Sequence, residues 1–590
     1  MKRFLTKLRN VVGTAVLVLV TAGILVGLLR WLLEPSVPDR ALLEIDFERE
    51  FVEHLPDDPL ARAFLRDKAD LLDTVATIAK AANDDRVVAL LGRIGSDSMN
   101  PATTQELRDA ILAFRKKGKK AVAFAETFGE GGAGNQAYYL ASAFDKIYVQ
   151  PSGIVALTGL LAETPFLRGS LDKLHIEPRL AHRKEYKNFE NIFTERKFTE
   201  AHKQATEAIV NSLFQQLVKG VAEGRGLPPQ QIKHLFALGP FVAEEALHRH
   251  LVDGLLYRDE VYTRLEKEFG EETKLLHLSA YSERAGGAYE RGDTIALIYG
   301  TGIIRRGESG YEPLLSGVIM GSETVAKALR AAVDDDEVEA ILFRIDSGGG
   351  SYVASDTMWH EVVRAREAGK PVIVSMGDVA ASGGYFVAMA ADKIIAQPGT
   401  LTGSIGVVSG KMLTSGFWDQ LGVSWDSLST SDNASFWTST QDYTDAGWAR
   451  LQAWLDAIYE DFTEKAARGR NLALAEVEKA AKGRAWTGSD AKALGLVDEL
   501  GGFPVALHIA RQMANLAPDA PIRLKLFPEE KSSLRRLLEE PSNNSKEKIL
   551  DVILPRIQSA IQPLLALLRD AGMLSPARQP LSMPALGLDN

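Results

Sequence analysis

The residues best suited to chemistry lie in the second half of the 590-residue chain. Val372 to Met376 reads as a buried strand. Gly377-Asp378-Val379-Ala380-Ala381-Ser382-Gly383-Gly384-Tyr385 follows, and then the small apolar run Phe386 to Ala391. A strand, a turn of small residues and a helix opening at glycine put the Ser382 hydroxyl beside unpaired backbone N–H groups that can hold a developing oxyanion. One strand earlier, Arg344-Ile345-Asp346-Ser347-Gly348-Gly349-Gly350-Ser351 offers three successive glycines, whose backbone can approach a substrate closely. From these residues alone Ser382 reads either as a nucleophile or as a helix cap. The chain has no cysteine, which leaves an oxygen or an amine as nucleophile and removes disulfides and thiolate metal sites.

A serine nucleophile needs a base. Histidines number ten and show no metal-ligand spacing; His360 falls on the helical stretch after the glycines. Asp346 and Asp378 are near in sequence, but a carboxylate alone is a poor base for a hydroxyl at neutral pH. Lysine remains, and composition selects none of them.

The elements around these residues occur twice. Asp84 to Ile94 reads against Asp335 to Ile345, Lys117 to Val122 against Ala368 to Val372, and Asp145-Lys146-Ile147 against Asp392-Lys393-Ile394. Pro151 falls against Pro398, and Leu251 to Gly254 against Leu496 to Glu499. Five pairs in register indicate one duplicated domain. Apolar strands alternating with helical stretches give an α/β class with parallel strands covered by helices. The expected division is a first copy at 37–265, a linker at 266–292, a second copy at 293–512 and a C-terminal extension at 513–590.

Lys2, Arg3, Lys7 and Arg9 precede an uncharged run from Val11 to Leu29. Nineteen residues rising about 1.5 Å each make about 28 Å of helix, the thickness of a bilayer's hydrocarbon core. Residues 1–36 are therefore expected to be a cytoplasmic stub and a single-pass signal anchor that leaves the body outside the cytoplasm. In the extension, Ile553, Ile557, Ile561, Leu564 and Leu568 share one helical face, suited to packing or to a membrane surface. A net charge of −10 gives no electrostatic footprint for nucleic acid.

Together, the Met376 to Tyr385 segment, Leu401-Thr402-Gly403-Ser404-Ile405-Gly406, Arg484 to Ala491 and Gly495 to Gly502 resemble signal peptide peptidase A, or protease IV, in its long tandem form. The resemblance covers about 37 to 530. It implies tandem Clp protease/crotonase-like domains and a homotetramer. It also implies a Ser-Lys dyad that cleaves peptides, above all apolar signal peptides, at the inner membrane's periplasmic side, without cofactor or metal. Glu185-Tyr186-Lys187-Asn188 matches the family's Tyr-Lys motif, so the resemblance makes Lys187 the general base for Ser382. In the repeat, Asn135 stands opposite Ser382 and Ala434 opposite Lys187, so neither copy holds both groups.

On this reading the amides of Gly349 and Gly383 form the oxyanion hole, and Ser404 orients the amine. Ala380, Ala381 and Val407 line a site for small or aliphatic side chains. Where the family has Ser-Pro-Gly-Gly this chain has Ser347-Gly348-Gly349-Gly350, a more flexible turn. The alternative readings are a catalytically weak or inactive homologue acting as a membrane-associated scaffold, and an acyl-CoA-processing crotonase-like enzyme.

Overall fold

The computed structural model describes residues 36–54, 68–95, 99–312, 317–528 and, as backbone alone, 581–582 and 588–589. The expected anchor at 1–36 falls outside these residues apart from its last position, and the apolar helical face at 545–570 falls outside them altogether. No helix among the described residues is long and apolar enough to cross a membrane.

Each half is built on the same parallel sheet. In the first half the order runs Gly254–Leu255, Lys146–Val149, Lys120–Ala125, Val87–Arg93, Ala41–Asp46 and Lys274–His277. In the second it runs Glu499–Leu500, Lys393–Ala396, Val372–Ala381, Val338–Ser347, Asp293–Thr301 and Ile522–Phe527, again parallel. These strands read as unbroken apolar runs because helices cover both faces; Ile341, Leu342 and Phe343 are all fully buried.

Two strands lie beyond the expected domain limits. Lys274–His277 closes the first sheet from within 266–292, the stretch expected as a linker, and Ile522–Phe527 closes the second from beyond 512. Only one of the four residues of Lys274–His277 is buried, so its apolar signal is weak.

The repeated motifs have a physical reason. Asp145 accepts the Ala121 N–H at 2.9 Å, as Asp392 accepts that of Val372 at 2.9 Å. Asp253 accepts the Ile147 N–H at 2.9 Å, as Asp498 accepts that of Ile394 at 2.8 Å. Tyr138 donates to the Leu251 carbonyl, as Tyr385 donates to that of Leu496. Each motif thus satisfies backbone groups at the ends of buried strands, which would otherwise be stranded away from water. Each half also carries a 26-residue helix, Glu200–Arg225 or Asp445–Arg470, capped by Thr199 or Thr444 and ended by a left-handed Gly226 or Asn471.

Two of the contacts between the halves matter most for the site. Glu177–His182 of the first pairs antiparallel with Val408–Leu413 of the second, Val408 opposite His182. Beneath that, Arg344 of the second half is buried against two carboxylates of the first: Glu53 by two bonds of 2.8 Å, and Glu106 by one of 2.8 Å. Ser375 accepts a further bond from it at 2.8 Å.

Candidate active site

Ser382 stands where the strand Val372–Ala381 turns sharply into the helix Gly383–Ala388. Its φ of 54° is a conformation that residues other than glycine rarely adopt. The Ser382 N–H donates to the Gly403 carbonyl at 2.8 Å, which fixes the turn against the next strand. Ser382 occupies the N-cap position of that helix, but no capping bond engages its hydroxyl.

Lys187 reaches Ser382 from the first half. The antiparallel pairing across the halves ends at His182, the Arg183 N–H continues it to the Val407 carbonyl at 2.9 Å, and the chain then turns inward. Lys187 Nζ lies 2.8 Å from Ser382 Oγ, and 3.1 Å from both the carbonyl and the hydroxyl of Ser404. Ser404 Oγ also donates to the Gly483 carbonyl at 3.3 Å. Only 2% of Lys187 is exposed, and burial brings its pKa down to about 7, opposed by the charge of Glu190. Near neutral pH a substantial fraction of the amine is therefore unprotonated and can accept a proton.

Gly483 packs onto this lysine, and the residue readings did not single it out. A Cβ there would fall 2.5 Å from Lys187 Cβ, and its φ of 78° favours glycine. The Tyr186 N–H donates to the Lys482 carbonyl at 3.0 Å, so the loop before Arg484 packs against the backbone and Cβ of the lysine. The only sequence signal was the glycine between Lys482 and Arg484.

The two glycine segments come together. A Cβ on Gly383 would fall 3.0 Å from the Gly350 nitrogen and 3.1 Å from Gly349 Cα, so only glycine allows that approach. The Gly349 N–H donates to Ser347 Oγ at 3.2 Å, a bond that an oxyanion would have to share. Gly349 and Gly350 have φ values of 103° and 153°, whereas Gly348 is not among the positive-φ glycines. Gly348 itself thus adopts no glycine-only φ. Backbone at Leu581–Ser582 lies antiparallel on Gly349–Gly350.

Other expected residues are elsewhere. His360 is exposed on the helix Tyr352–Glu367. Asp378 accepts from the Thr103 backbone at 2.9 Å and the Thr103 hydroxyl at 2.6 Å, which commits it to the contact between halves. Ala380, Ala381 and Val407 are fully buried, and the cavity beside Lys187 is lined by other residues. Opposite Ser382 in the repeat, Asn135 holds a loop by accepting from the backbone of Thr158 and Gly159; Ala434 lies in an exposed turn.

Residues 113–271 and 364–517 match peptidase family S49. The chain belongs to that family. It is 31% identical over 467 residues to the chloroplastic serine protease SPPA of Arabidopsis thaliana, covering 78% of this chain and 68% of the relative. It is 32% identical over 458 residues to Protease 4 of Salmonella typhi, covering 76% and 72%, and 30% identical over 506 residues to Protease 4 of Haemophilus influenzae, covering 82% and 80%. As an S49 peptidase of the SPPA type, the chain is a serine protease acting on peptides, with two matched regions that fall one in each half.

Proposed function

We propose that this S49 peptidase is a membrane-anchored endopeptidase that cleaves peptides with a dyad of Ser382 and Lys187. The observation that carries the reading is the 2.8 Å contact between a hydroxyl at a strained turn and an amine that is 98% buried. Neutral Lys187 takes the Ser382 proton as Oγ attacks the scissile carbonyl, and the ammonium so formed returns a proton to the leaving amine. The acyl-enzyme is then hydrolysed by water that the amine deprotonates in turn. The amides of Gly349 and Gly383 stabilise the oxyanion, and the Ser404 hydroxyl aims the amine.

The apolar run from Val11 to Leu29 supports a single-pass anchor, with the catalytic body on the periplasmic side of the inner membrane. Signal peptides left there after export are the natural substrates, and the assembly is a tetramer. Fluorophosphonate labelling tests the dyad: the adduct should map to Ser382 and should be lost in Lys187→Ala. An adduct elsewhere, or undiminished labelling without the lysine, refutes it. Carbonate extraction of membranes tests the anchor, and light scattering of a chain lacking residues 1–35 tests the tetramer.

A further inference from the structure

Beside Lys187 and Ser404 lies a cavity whose lining also includes Asn188, His202, Thr206 and Ile209. His202 sits in the first turn of the helix Glu200–Arg225, its backbone N–H held by the Thr199 cap at 3.2 Å. The rings of Phe198 and Phe166 meet its imidazole edge-on, with centroids at 4.8 and 6.0 Å, and only 3% of the residue is exposed. Despite this burial His202 Nδ1 has no hydrogen-bond partner, and neither has the buried Asn188 Oδ1. Two buried polar atoms without partners, on residues that line one cavity, favour the entry of a group that hydrogen-bonds there.

The chemistry of the two atoms narrows that group. Asn188 Oδ1 only accepts, so the ligand must donate. His202 is held neutral, because burial brings its pKa down to about 4, and a neutral imidazole nitrogen accepts or donates according to its tautomer. No acidic residue lines the cavity, so an entering cation finds no counter-ion, and a carboxylate would hold Lys187 as an ammonium and so disable it as a base. An aliphatic group would leave both atoms stranded. The geometry points to a substrate side-chain subsite, built by His202 and Asn188 beside the dyad, for a small uncharged side chain carrying a hydroxyl or carboxamide. This rests on the peptidase reading above; Ala380, Ala381 and Val407 are not among the residues lining this cavity.

Quenched fluorescent peptides that differ by a Thr/Val or Asn/Leu exchange at one position around the scissile bond test it. The purified full-length enzyme should show, at one position, kcat/KM about tenfold or more higher for the hydrogen-bonding member of each pair. His202→Leu should abolish or reverse that preference at that position alone, and His202→Gln should retain part of it. If His202→Leu fails to fold, Asn188→Leu gives the same contrast. A preference for the aliphatic member at every position overturns the subsite, as does a preference that persists in His202→Leu. Equal loss of kcat for all peptides, with acyl-enzyme accumulating, overturns it in favour of a site for the hydrolytic water. Failure of the wild-type enzyme to cleave any peptide would instead count against the peptidase reading.

Discussion

Lys187 Nζ and Ser382 Oγ stand 2.8 Å apart although 195 positions separate them in the chain and each belongs to a different copy of the repeat. Ser382→Ala and Lys187→Ala should each lower kcat by about three orders of magnitude or more. Lys187→Arg is the sharper change, since a guanidinium keeps the charge but cannot act as a base. Peptide hydrolysis that survives in Lys187→Arg would transfer the proton to another group.

The pH profile follows from the burial of Lys187. The free enzyme works with the neutral amine, so kcat/KM should rise about tenfold per pH unit below 7 and level off above the depressed pKa of about 7. The Glu190 charge favours the ammonium form, and Glu190→Gln should move the midpoint to lower pH. A midpoint that stays in place would remove Glu190 from the electrostatics of the base.

Stability also rises with pH, but over a higher range. The lysine pKa is near 10.5 when unfolded and about 7 when folded, so between these values the unfolded chain binds more protons and stability rises with pH. Below pH 7 the full cost is present, about 5 kcal/mol. Lys187→Met should therefore raise the thermal midpoint at pH 6, with the gain shrinking towards pH 10. Equal midpoints for the two proteins at pH 6 would mean that the amine is not desolvated.

Ser404 touches the amine through both its hydroxyl and its carbonyl, and only the hydroxyl is lost in Ser404→Ala. Turnover should fall about 10- to 100-fold with KM little changed, because the amine loses aim while substrate contacts remain. A pure KM effect would place Ser404 in substrate binding.

Arg344 offers a test of the contact between halves. Arg344→Met leaves Glu53 and Glu106 buried without their cation and should cost about 3–5 kcal/mol in denaturant unfolding. Adding Glu53→Gln should recover part of that loss, as a double-mutant cycle would show.

The serine was legible because its neighbours are local: a strand, a small-residue turn and a helix lie within twenty positions. The lysine was not legible from the residues alone. Its selection depends on the antiparallel pairing of 177–182 with 408–413, a contact between halves that no local pattern encodes, and only the family's Tyr-Lys motif singled it out. The glycine approach at Gly383 was visible as composition, whereas the packing of Gly483 on the lysine and the polar cavity beside it needed three dimensions. The second half's closing strand could be suspected from Arg523 to Phe527. Lys274–His277, largely exposed, carried too little apolar signal to be separated from a linker.

Arg344 and Arg93 occupy the same place in the two copies, yet their partners differ. Arg93 is ringed by Glu44, Asp46 and Glu48 from its own half, while Arg344 takes its acids from the other. The joint therefore has a polarity. A first half set against another first half would bring acids to a face whose arginine is already occupied, and two second halves would oppose guanidinium to guanidinium. The two copies of the duplicated unit are therefore no longer interchangeable at this joint: one supplies the acids and the other the arginine.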